Sequence, residues 1–206
     1  VQTCALPISE PLEAASVQEP LEAGSGLDFK LTDTGCVMRV LPEDSQALQM
    51  LVGILGADQI TFEQISQAVI SVAASNVVTR DGFWAAMKGL FPALQARGGA
   101  DPGVELACDL LGAIFNAFDR GEKGSASSDE LACGMMLLSA GSKSDKIRHG
   151  FTIFDTHSDN SLSRRQMWKF LRSFLSVLLA VTSNGRAWSN EHIQAVVDDT
   201  AVLEAQ

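Results

Sequence analysis

The sequence predicts an all-α fold of helix–loop–helix pairs, with short β-bridges between the loops. Three observations predict it. Apolar residues recur at helical spacing over most of the chain beyond Ser45. Polar loops starting at Asp119 and Asp155 interrupt that pattern 36 residues apart, each with a Phe just before the Asp, and a period in this range marks a repeated supersecondary unit. Apolar residues make up 46% of the 206, enough for a sizeable core. Yet no stretch reaches the roughly 18 consecutive apolar residues of a membrane span. The richest run, Phe170 to Val181, is broken by Arg172, Ser173 and Ser176 and reads as a core helix.

Residues 1–44 read as a disordered or loosely structured lead-in. Val1 to Ile8 (VQTCALPI) resembles the conceptual translation of a sequencing-library adapter, which would leave Cys4 outside the fold. Because the chain opens on Val, it does not address a signal peptide or acylation site. Leu27 to Val40 reads as an extended hairpin around Asp33-Thr34-Gly35. From Ser45, Leu48, Leu51, Val52 and Leu55 form one stripe, which Gly56 ends. Thr61 is placed to cap a helix carrying Phe62, Ile65, Val69 and Val72. The β-branched pair Val77-Val78 follows, and Thr79 caps a helix through Phe83, Trp84, Met87 and Leu90. Residues 45–103 are therefore a degenerate helix–loop–helix region, closed by the linker Gln95 to Gly103 (QARGGADPG).

Unit 104–142 sets Val104, Ala107, Leu111, Ile114, Phe115 and Phe118 before its loop and Leu131, Met135 and Leu138 after it. Unit 143–183 repeats the plan. Ile147, Phe151 and Phe154 precede its loop, and Met167, Phe170, Leu171, Phe174, Leu175 and Leu178 follow. Residues 188–206 carry Ile193, Val196, Val197 and Val202 and read as the first helix of a further unit.

Both loops can be measured against the needs of a hard cation. A twelve-residue calcium loop supplies oxygens from its first, third, fifth, seventh, ninth and twelfth positions, with a turn glycine at the sixth. In Asp119 to Glu130, Asp119, Ser125, Ser127 and Glu130 meet that pattern and Gly124 provides the turn. Gly121 lacks a side-chain oxygen and Lys123 sets a cation where a carboxylate belongs, so this loop is expected not to bind. Lys123 could instead reach Asp119 or Glu130 and stand in for the ion. In Asp155 to Gln166, Asp155 and Asp159 are good ligands, Ser161 offers a carbonyl and Ser163 a hydroxyl. Asn160 replaces the turn glycine and tolerates the left-handed conformation. His157 is a poor ligand for a hard ion, and the Gln166 amide cannot replace a bidentate carboxylate. The six residues make a weak Ca2+ candidate, micromolar or weaker.

Composition narrows the function classes. A net charge of -10 disfavours nucleic acid, which needs a basic face, and suits cations or basic peptides. Cys4, Cys36, Cys108 and Cys133 are scattered without a CxxC spacing, which argues against a zinc site or disulfide framework and fits a reducing, cytoplasmic setting. His149, His157 and His192 are the only histidines, and none stands in a catalytic motif. No phosphate-binding loop, dinucleotide fingerprint or nucleophile elbow occurs, so no enzyme is expected.

With these residues placed, residues 104–206 resemble the neuronal calcium sensor and calcineurin-B-like branch of the EF-hand superfamily. The resemblance rests on FNAFD and FTIFD before the loops and on the connector DELACGMMLLSAGSKSDKIRHGF. Arg164 to Val181 matches the long helix that follows the third loop in that branch, and the loop of a fourth hand would fall past Gln206. The resemblance implies a calcium sensor that opens an apolar groove for a partner's amphipathic helix. The candidate lining is Phe115, Phe118, Leu131, Met135, Leu138, Phe151, Phe154, Phe170, Leu171, Phe174 and Leu175. Two alternatives stand beside it: a calcium-independent pseudo-hand adaptor, and a regulatory piece of a larger enzyme or transporter.

Overall fold

The computed structural model describes residues 27–30, 37–40, 42–95, 101–182, 191 and 193–198, and these are mostly helical. Two short strands, β1 (Leu27–Lys30) and β2 (Val37–Val40), pair antiparallel with Leu27 opposite Val40, as the hairpin reading expects. The turn at Asp33-Thr34-Gly35, the adapter-like start, Trp188 and Val202 lie outside the described residues.

Helix α1 (Pro42–Leu55) begins three residues before Ser45, where the sequence places the start of the helical pattern. Gly56 ends it with φ at +64°, a conformation that costs glycine little. Helix α2 (Phe62–Ser71) starts in a reciprocal cap. The Thr61 hydroxyl accepts the Gln64 N–H at 3.3 Å, and the Gln64 side chain accepts the Thr61 N–H at 2.8 Å. Removing that hydroxyl with Thr61→Ala is expected to cost about 1 kcal/mol, read as a melting point lower by roughly 2–4 °C.

Strand β3 (Val77–Thr79) leads into α3 (Arg80–Leu90), capped by Thr79 as expected. Helix α4 (Pro102–Phe118) then corrects the linker reading. Asp101 accepts the Gly103 N–H at 2.9 Å, so Pro102 and Gly103 belong to the first helical turn. A proline there loses no hydrogen bond, because the first helical N–H groups lack partners anyway. Strand β4 (Ser125–Ser127) precedes α5 (Ser128–Met135), which tightens into a 3-10 turn over Met136–Leu138. Helices α6 (Lys143–Phe154) and α7 (Arg164–Val181) flank the second polar loop, and residues 193–198 are again helical.

The pairing β3–β4 organises the first two units. Val78 faces Ala126 in an antiparallel register, and both are buried. This is the expected β-bridge between loops, and it sets α2–α3 back to back with α4–α5. Around it lies one large core that includes Leu51, Ile65, Phe83, Leu111, Phe115, Leu131 and Val177, with Ile193, Val196 and Val197 from the last helical segment. A smaller cluster of Cys133, Met136, Phe154 and Phe170 fills the space between α5, α6 and α7.

Candidate metal centres

The loops after α4 and α6 turn alike at their fourth and sixth positions, although only the first also turns left-handed at its third, Gly121. Glu122 and Ser158, at the fourth position of each, have φ of +53°. At the sixth, Gly124 has φ +71° and Asn160 +57°. The first-position carboxylate bonds alike in both. Asp119 accepts the N–H of Lys123 at 2.8 Å and of Gly124 at 2.9 Å. Asp155 accepts the N–H of Asp159 at 3.2 Å and of Asn160 at 3.0 Å. The wider α2–α3 connection also turns left-handed, at Ser75 and Asn76, but has no carboxylate to gather those donors.

In 119–130 the oxygens that calcium would need are committed to protein cations. Asp119 is buried and, besides its backbone donors, lies 3.6 Å from the Arg80 guanidinium. Arg80 is positioned from α3 across the bridge. Its N–H donates to the Gly124 carbonyl at 3.0 Å, its guanidinium donates to Asn116 at 2.6 Å, and the same group lies 4.8 Å from the centre of the Phe115 ring. Glu130, at the twelfth position, forms a buried ion pair with Arg172 of α7. Lys123 pairs with neither carboxylate; only its backbone N–H reaches Asp119. The cations at these two carboxylates are thus Arg80 and Arg172, whose guanidiniums come from α3 and α7. Ser125 donates its N–H to Asp119 at 3.2 Å, and Ser127 makes no side-chain cap bond at the start of α5. With the Asp119 and Glu130 carboxylates both paired to guanidiniums, the loop does not fit a calcium ion.

Loop 155–166 is more open. Asp159 is exposed, and its carboxylate accepts both the hydroxyl of Ser161 at 2.7 Å and the backbone N–H at 3.0 Å. The Ser161 hydroxyl first, and then its N–H, hold the Asp159 carboxyl below its ordinary value. His157 is exposed, lies beside the Thr156 hydroxyl at 3.3 Å, and bears electrostatically on the Asp159 carboxylate.

Ser163 and Gln166, taken from the sequence as ninth and twelfth ligands, close a reciprocal cap on α7. The Gln166 side-chain oxygen accepts from the Ser163 N–H at 2.8 Å, and its amide nitrogen donates to the Phe154 carbonyl at 2.6 Å. Their Ser-x-x-Gln spacing just before an apolar run is the sequence mark of such a cap. Asp155, Asp159, the Ser161 carbonyl and the Ser163 hydroxyl suit a weak hard-cation site, with Gln166 tied elsewhere. Among the described residues no three His, Cys, Asp or Glu side chains gather as a metal cluster.

The expected groove residues fall into two sets. Phe115, Phe118, Leu131, Met135 and Leu138 are buried in the main core, and Phe154 and Phe170 in the smaller one. Phe151, Leu171 and Phe174 are half-buried against the smaller cluster, and Leu175 against the main core. Ile147, in line with Phe151 and Phe154 on α6, is 54% exposed. The stripe thus runs from core to solvent along one helix. Burial raises the Cys133 thiol far above its ordinary value and keeps it a neutral core group, while Cys108 is half-buried. No helix among the described residues is long and apolar enough to cross a membrane.

Sequence reasoning missed Arg172, Arg80 and Asp198. For Arg172 a signal existed: a guanidinium and two serines inside the apolar run Phe170 to Val181. For the other two none did, since Arg80 lies 39 residues before Asp119 and Asp198 lies 26 beyond Arg172.

No protein-family model matches the chain, and no solved structure matches it. The calcium-binding protein NCSA of Dictyostelium discoideum is similar, with 27% identity over 85 residues. That match covers 41% of this chain and 44% of NCSA, less than half of either. The chain is a distant, partial relative of a calcium-binding protein with a mostly helical fold.

Proposed function

We propose that the chain is an EF-hand regulatory protein of the calcium-sensor type, with its calcium chemistry confined to loop 155–166 and with an amphipathic helix of a cytoplasmic target as its partner. The observation that carries this reading is the loop backbone repeated after 36 residues. Each first-position Asp gathers the N–H groups of its fifth and sixth residues. Such a cradle holds a carboxylate oriented toward the loop interior, and helices on both sides fix its ends. The similarity to NCSA, itself named as calcium-binding, supports the same reading.

Asp155 and Asp159 would hold the ion with the Ser161 carbonyl and Ser163 hydroxyl. Calcium bound there supplies the positive charge that offsets two neighbouring carboxylates. Ser163 and Gln166 start α7, so any shift in the loop is passed to the helix that carries Phe170 and Phe174. Half-buried Phe151 and Phe174, with exposed Ile147, offer a partner helix its apolar contact.

Calorimetric titration of the whole chain tests this. The expected result is calcium binding with a Kd of about 10 µM or weaker, abolished by Asp155→Ala. A titration unchanged by Asp155→Ala would sink the assignment. The second reading, a calcium-independent adaptor, is favoured by the Glu130–Arg172 pair, which leaves loop 119–130 complete without metal. A folded protein that gives no calcium heat selects it.

A further inference from the structure

We propose that Arg172 occupies the charge-balancing place of the metal at loop 119–130 and latches that loop to α7 and to the helical segment 193–198. The inference rests on reading 119–130 as a metal-type loop, and not on any ion bound at 155–166.

Glu130 sits at the loop's twelfth position and is buried. A buried carboxylate needs a cation or a full set of donors. In a calcium loop the twelfth carboxylate finds the metal. Here it finds Nη1 of Arg172, a residue 42 positions later and 1% exposed. The guanidinium is shared. Its Nε donates to Asp198 at 2.8 Å. Asp198 also accepts from Arg120, the second residue of the loop, at 2.5 Å. The Trp168 ring lies 5.0 Å from the Arg120 guanidinium and 5.7 Å from that of Arg172, and its N–H donates to the Asp198 carbonyl at 3.4 Å. Gln194 completes the join by donating to the Asp119 carbonyl at 3.1 Å.

Two carboxylates and two guanidiniums therefore balance in a cluster that touches both ends of the loop. The chain thereby holds its first two units, α7 and segment 193–198 in one arrangement with no metal present. Arg172 keeps one nitrogen, Nη2, without a hydrogen-bond partner, as does Ser176 Oγ one turn further on. The guanidinium is not ideally satisfied, so its place depends on the two carboxylates. A buried ion pair of this kind adds little compared with apolar packing, but breaking it from one side leaves a bare buried charge.

That asymmetry sets the test. Thermal melting of the whole chain in a calcium chelator compares Glu130→Gln, Arg172→Met and the double variant. Each single change should lower the melting point by about 10 °C, and the double should fall no further than either alone. Additive losses would overturn the latch. So would calcium raising the melting point of the unaltered chain but not of Glu130→Gln, because Glu130 would then be a ligand. If Arg172→Met does not fold, Asp198→Asn carries the test. A fall of a few degrees supports the link to segment 193–198, and an unchanged melting point removes it. Loss of calcium binding at 155–166 leaves this cycle untouched, so the two readings fail separately.

Discussion

Gly134→Ala is expected to destabilise the protein by about 3 kcal/mol, a fall of roughly 6–12 °C in melting point. Gly134 lies in α5 where that helix meets α7. An added Cβ would come to 2.6 Å from the Ser173 carbonyl oxygen, 2.7 Å from Phe118 Cζ and 2.9 Å from Val177 Cγ2. The first of these is backbone and cannot swing aside. The loss overrides helix propensity, which by itself favours alanine over glycine by about 1 kcal/mol. Gly89 in α3 provides the control, since a Cβ there meets nothing within 4 Å. Gly89→Ala should raise the melting point or leave it unchanged. A harmless Gly134→Ala would mean that α5 and α7 do not pack this closely.

Phe115→Ala is expected to cost about 3–5 kcal/mol, by loss of buried area and by the cavity it leaves. The Phe115 ring is fully buried, 5.2 Å from the Phe83 ring and beneath the Arg80 guanidinium. The same substitution at Phe174, half-buried on α7, should cost markedly less. Denaturant unfolding of the two variants separates core from accessible face. If Phe115→Ala keeps full stability and weakens only partner binding, Phe115 belongs to a groove and not to the core.

Much of this architecture was legible because local chemistry specifies it. Gly56, Thr61 and Thr79 sit where a stop and two caps are needed, and the structure uses all three. The 36-residue loop period and the β-branched pair at Val77-Val78 foretold the repeat and the bridge. Local reading is less decisive where one residue type serves two ends. Ser163 and Gln166 carry oxygens that suit a cation loop, and both residues also cap α7. Asp101 turned the end of a Gly- and Pro-rich linker into the start of α4. The pairing of the cation partners with loop 119–130 could not be read locally, although Arg172 stood out within its apolar run. Charge at Lys123 drew attention within the loop, while the guanidiniums that pair with Asp119 and Glu130 come from α3 and α7.

The most direct test of the central claim compares calcium titrations of Glu130→Gln and Asp155→Ala with that of the unaltered chain. Glu130→Gln should keep the calcium heat as long as it remains folded, and Asp155→Ala should lose it. Heat lost in Glu130→Gln and kept in Asp155→Ala would place calcium in loop 119–130 and contradict the account.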